Sequence, residues 1–250
     1  MAMRTRTTLS LLSLLAVTAL AGCGSSEDDD ATTMLSRADL KSSLISLDDV
    51  GSAFKVDESD DDDDSDQELG CLDGLDELGG DSNDPERDEE ISFEAKAEPE
   101  LPGVFNTVGA FKSDADAAKV LTDLGKAVSS CKSVDVTDED GARIQLAVSS
   151  DTRETDADAT GQMNLEAAGS ITVQTLTIPF SLRFSAIQLG NHVTVVGFVT
   201  MAEEVGPEAD ALAQRAFDRL SPILDGKDVP DLEPLDLKAV DLDALMSAGA

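Results

Sequence analysis

The chain contains no tryptophan, no tyrosine and a single histidine, His192. Bases are scarce: 18 Lys and Arg stand against 52 Asp and Glu, a formal net charge of −34 over 250 residues. Each shortage closes off a class of function. A polyanion lacks the Lys and Arg that neutralise a phosphate backbone, so general nucleic-acid binding is excluded. Stacking platforms for bases or sugars are reduced to eight phenylalanines. One histidine cannot supply a paired-histidine metal motif such as HExxH. The N-terminal apolar run, residues 9–20, is too short for an ordinary membrane span. What is present suffices for a folded domain: 41% apolar and 28% charged residues argue for a packed core and against wholesale disorder.

The N-terminus has Arg4 and Arg6, no acid, and then that apolar run, which is the pattern of a secretory signal. The run ends in Leu20-Ala21-Gly22-Cys23. This string resembles the bacterial lipobox, in which the cysteine is lipidated through sulfur and becomes the first mature residue. The expectation is a signal peptide over 1–22, a lipid on Cys23, and a protein held on the outer face of the cell membrane. Two or more acyl chains anchor stably at about 0.8 kcal/mol per buried methylene. The alternative is a soluble secreted protein in which Cys23 is incidental.

With Cys23 assigned to lipid, Cys71 and Cys131 remain as an even pair in an oxidising compartment. A Cys71–Cys131 disulfide is expected, worth about 4 kcal/mol in the chain-entropy model. Two free buried thiols are the competing arrangement.

Along the mature chain, residues 23–32 read as an acidic tether, 33–225 as a single domain and 226–250 as an acidic tail, docked weakly or loose. Leucines 35, 40, 44 and 47 predict an opening helix. Between Asp57 and Glu90 there are 18 acids and one base, Arg87, which predicts a solvated acidic loop. Strands are expected at 91–97, 103–112, 133–137, 142–149, 171–178, 180–189 and 192–201, with Pro179 separating two of them and Gly190-Asn191 forming a hairpin turn. Ser113-Asp114-Ala115-Asp116 has capping-box spacing and opens a helix through Cys131; Gly206-Pro207 opens the last helix. The fold class is α+β: an antiparallel β-sheet flanked by helices.

Several segments together resemble the PknH-like extracellular sensor domain of actinobacteria. They are Leu47-Asp48-Asp49-Val50-Gly51, the passage Gly109-Ala110-Phe111-Lys112-Ser113-Asp114-Ala115-Asp116-Ala117, Cys131 at the end of the following helix, Leu189-Gly190-Asn191-His192-Val193, and Ala216-Phe217-Asp218-Arg219-Leu220. The resemblance spans about residues 33–225. It implies a sheet with flanking helices that forms a ligand-binding cleft. The chain departs from the family pattern in lacking a tryptophan shortly before Cys131 and in having cysteines for one disulfide only.

Catalysis finds little support. There is no GxSxG, and His192, next to a hairpin turn, is expected to be solvent-exposed. Solvated acids do not acquire the shifted pKa that acid–base work needs. For metals, Asp60, Asp62, Asp64 and Asp66 alternate like early EF-hand ligands but lack the glycine at the sixth place. Asp156 and Asp158 come closer, with Gly161 at the sixth place and Glu166 at the eleventh, one short of the twelfth. Weak, millimolar-type calcium association is the expectation, with no cofactor. Two functions follow: a non-catalytic, lipid-anchored sensor-like domain binding a small ligand or an envelope protein, or an interaction lipoprotein whose acidic loop recruits divalent cations or a basic partner.

Overall fold

Hydrophobic alternation builds one eight-stranded sheet, and the helices fall on its two faces. The computed structural model describes residues 34–57, 84–98, 100–137 and 141–240, all within one compact unit, Thr32–Ala250. The strands are β1 (Phe54–Val56), β2 (Arg87–Ala95), β3 (Gly103–Ala110), β4 (Ser133–Thr137), β5 (Arg143–Asp151), β6 (Gly161–Val173), β7 (Leu176–Leu189) and β8 (His192–Thr200). The helices are α1 (Arg37–Ser43), α2 (Leu47–Val50), α3 (Asp114–Ser130) and α4 (Pro207–Leu224). Strand order is β1-β2-β3-β8-β7-β6-β5-β4, and every neighbouring pair is antiparallel. Strands β4 to β8 form a meander; α3 carries the chain from β3, inside the sheet, to β4 at its far edge.

Successive residues of a strand point to opposite faces, so two cores form. On the first face α1, α2 and α4 pack through Leu40, Val50 and Leu212 onto Phe93, Val104 and Phe198. On the second face α3 lays Leu121 over Ala186 and Val193 and Val128 over Leu146, Met163 and Leu165. The antiparallel α+β architecture expected from the sequence is therefore present, with helices on both faces.

Several boundaries differ from expectation, each for a local reason. The opening helix is two short helices, because Ser36 and Ser46 each make a capping box, with Asp39 and Asp49 respectively, and a cap starts a helix afresh. The acidic stretch 57–90 ends in β2: Arg87–Glu90 pair with Ala110–Thr107 of β3, since an edge-proximal strand tolerates charge on its solvent side. Pro179 does not divide two strands. It lies within β7, beyond Ser181↔Thr200, the last pair with β8, where a missing N–H costs no ladder bond on that side. The hairpin turn falls at Gln174, whose φ is 55°, and residues 161–170, outside the expected strands, become the first part of β6.

The C-terminal stretch through Val240 is docked. Leu235 N–H donates to the Asp49 carbonyl (2.8 Å) and Val240 N–H to that of Leu101 (2.9 Å), while Leu237 is only 4% exposed and joins the first-face core. Residues 226–240 thus belong with the domain, because Leu235 and Leu237 have core surface to cover.

Candidate functional site

The second face is only partly covered by α3. Helix α3 lies over β4, β5, β6 and one end of β7 and β8. Phe180, Leu182 and Phe184 of β7 and Val195 of β8 pack against the edges of these clusters but stay half-buried, and the face they share with β3 forms a trough beside α3. Its floor follows from alternation. The odd positions of β3 (Phe105, Thr107) and β8 (Val195, Gly197, Val199) and the even positions of β7 (Phe180, Leu182, Phe184) share this face. All but the buried Gly197 are half-buried.

Phe105, Gly197 and Phe184 form one cross-strand row. The two phenyl rings lie 5.1 Å apart at 48°, within the range of favourable aromatic pairs. Gly197 permits this: a Cβ there would overlap the Phe105 ring, so the ring lies against the sheet in the space a side chain would fill. Leu182 and Val199 form the next row.

The trough has one wall and one open side. On one side stands α3. On the other, β2 turns Asp88, Glu90 and Ser92 to the same face, opposite Gly109, Thr107 and Phe105, and all three are exposed. Farther along β2, Glu94 is held by Lys55 Nζ at 2.8 Å. Hydrogen bonds from Lys55 to Glu94 and Glu100 raise the lysine well above its ordinary pKa. At the β1 edge a groove is lined by Leu47, Phe54, Lys55, Val56, Glu94 and Glu100, among others. Three of its charges, Lys55, Glu94 and Glu100, are spent on one another.

The sequence-derived candidates fare differently. Cys23, Cys71, Asp60, Asp62, Asp64 and Asp66 lie outside the described residues. Cys131 caps α3 and is 1% exposed in the second-face core. Asp156 accepts a hydrogen bond from Asp158 N–H (3.0 Å) in a local turn. Glu166 sits in β6 opposite Arg183. Among the described residues no three His, Cys, Asp or Glu side chains form a metal-binding group.

His192 is buried, not exposed. The hairpin turn places it on the first face, where Ala110 of β3 pairs with it and Leu35 N–H donates to its Nε2 at 3.2 Å. Burial lowers its pKa to about 4, with the Asp114 carboxylate opposing. A neutral imidazole whose acceptor nitrogen is spent on a backbone N–H, and whose Nδ1 makes no hydrogen bond, is not poised as a general base.

Two polar constellations were invisible in sequence. Under α4, Arg183 and Arg153 converge on Asp210 at 2.8 and 3.3 Å. Farther along α4, Arg215 and Arg219 both bond the buried carboxylate of Asp49, and Arg215 also donates to the Glu233 carbonyl. Both join helix, sheet and loops as fasteners. The trough floor, by contrast, was legible in the alternation Phe180, Leu182, Phe184 against Ser181, Arg183, Ser185.

No family model matches the chain, and no curated protein matches it. Among solved structures it is similar to the extracellular domain of PknH from Mycobacterium tuberculosis, at 12% identity and a TM-score of 0.55. The match covers 76% of this chain and 98% of that one. The likeness is one of fold.

Proposed function

We propose that this chain is a non-catalytic, sensor-like ligand-binding domain held outside the cytoplasm by a lipid on Cys23, with the second-face trough as its binding surface. The observation that carries the reading is the trough itself. It is a half-buried floor with no ionisable side chain, in a chain that is 28% charged. Leaving apolar surface partly open is unfavourable unless something covers it. Aromatic and aliphatic walls with few polar groups are the usual make-up of small-molecule sites. The fold's likeness to an extracellular domain supports the compartment, as do the signal-like N-terminus and Cys23. Among the described residues no helix is long and apolar enough to cross a membrane, so a lipid on Cys23 would supply the attachment. In that compartment Cys131 pairs with Cys71.

Native mass spectrometry of the protein released from its own envelope tests the reading. A retained apolar small molecule, lost on substitution Leu182→Asp, is the expected result. A retained protein would transfer the function to partner recruitment, and a chain that carries nothing and takes up no apolar probe would sink the proposal.

A further inference from the structure

We propose that the trough takes the hydrocarbon chain of a cationic amphiphile drawn from the adjacent membrane, with the positive headgroup against Asp88 and Glu90. The inference rests on the trough being a ligand site and goes further by naming the ligand's chemistry.

Shape comes first. The open floor runs parallel to the strands. From Phe184 to Ile178 along β7 is six residues, about 20 Å at strand rise. A bilayer's hydrocarbon core is about 30 Å thick, so the chains of one leaflet reach about 15 Å. An extended acyl chain therefore lies within the trough lengthwise, over the Phe105–Phe184 pair, without leaving its apolar floor.

Charge decides the headgroup. The acids around the rim divide into two sets. Glu86, Glu89 and Glu94 are engaged by Lys112, Arg37 and Lys55. Asp88 and Glu90, both on the trough's face, have no salt bridge among the described residues; Arg37 reaches only the backbone carbonyl of Asp88. Glu90 begins the row Glu90–Thr107–Val195, which sets its strand about 10 Å from that of Val195 at two strand spacings. Two exposed carboxylates thus flank one end of an uncharged floor. An ammonium group placed there is attracted, and the chain's net charge of −34 repels an anionic head.

The length of the preceding chain supplies the source. Eleven residue steps separate Cys23 from Met34, the first described residue, and fully extended they span at most about 40 Å. A lipid on Cys23 keeps Met34, where the folded domain begins, within that distance of a membrane, where amphiphiles are concentrated.

The experiment compares three probes sharing one chain, each below its micelle concentration, on the full mature protein: hexadecyltrimethylammonium, monohexadecanoylglycerol and hexadecanoate. Isothermal calorimetry at low salt is expected to rank them cation, neutral, anion, with the cation at least about tenfold tighter than the neutral probe. D88N/E90Q should bring the cation to the neutral level and leave the neutral probe unchanged. Both side chains are exposed, so this variant keeps its fold; F184S should weaken all three. Equal binding of the three probes would overturn the headgroup assignment while leaving the trough as a ligand site. A cation preference that survives D88N/E90Q would overturn it as well, since the net charge alone would then be responsible. Failure of every probe to bind would remove both the ligand class and the ligand site beneath it.

Discussion

Protonation of His192 can be followed without ambiguity, because it is the chain's one histidine. Its side chain is fully buried at the start of β8, with Nε2 accepting from Leu35 N–H. Burial lowers the pKa to about 4, against a partial upward pull from Asp114. In the unfolded chain an imidazole titrates near about 6.5. The sign follows from which state takes the proton first. Between those values the unfolded chain binds the proton and the native one does not, so stability falls as pH falls through this window. It is complete above about 6.5 and fully lost below about 4, a change of roughly 3 kcal/mol. Two measurements check it. The imidazole resonances of a nitrogen-labelled sample should hold their neutral positions down to pH well below 6. Urea midpoints measured from neutrality downward should decline for the native sequence, and much of that decline should vanish in H192Q. An imidazole midpoint near 6.5, or identical pH dependence in the two proteins, would refute the reasoning.

The Asp49 fastener acts in a lower window. Burial pushes this carboxyl up, but hydrogen bonds from the side chain and N–H of Ser46 and the guanidiniums of Arg215 and Arg219 outweigh it and leave the pKa lowered. Removing one partner from a buried ion pair costs about 3–5 kcal/mol. D49N should lose that much by denaturant unfolding at pH 7, and the gap to the native sequence should narrow below pH of about 3.9 as Asp49 itself protonates. For the cysteines, mapping of peptides without reduction should recover a Cys71–Cys131 link, and C131S should lose about 4 kcal/mol. Alkylation of both residues in the unreduced protein would contradict the pairing.

Sequence periodicity located elements that lie between clear punctuation. Helix α3 starts at its Ser113 cap, α4 starts at Pro207, and β8 follows Gly190-Asn191, all as residue chemistry dictates. It failed where tertiary pairing overrode local pattern. Residues 161–170 become strand because β5 and β7 flank them on both sides, and the charged start of β2 is ordered by its pairing with β3. His192 was misplaced because a turn neighbour reads as exposed, whereas Leu35, 157 residues away in the segment before α1, bonds it and it is buried. The trough is half legible: alternation marks Phe180, Leu182 and Phe184 as one face, but no local signal says that α3 stops short of covering them. The Asp49–Arg215 pairing, 166 residues apart, has no local signature, because any of the acids could have been its partner.

Leu35 is gripped at both of its backbone polar atoms. Its N–H donates to His192 and its carbonyl accepts from Arg87 Nη1 at 2.9 Å. One bond leads to β8, in the middle of the sheet, and the other to β2, near its edge. A pull transmitted along the preceding chain is therefore arrested at a residue pinned across the sheet, with α1 sheltered behind it. Tension loads two hydrogen bonds in parallel, and one of them ends on the only nitrogen in the chain's histidine that can give up its acceptor role by taking a proton. Acidification then removes one strand of the mooring and leaves the whole load on Arg87.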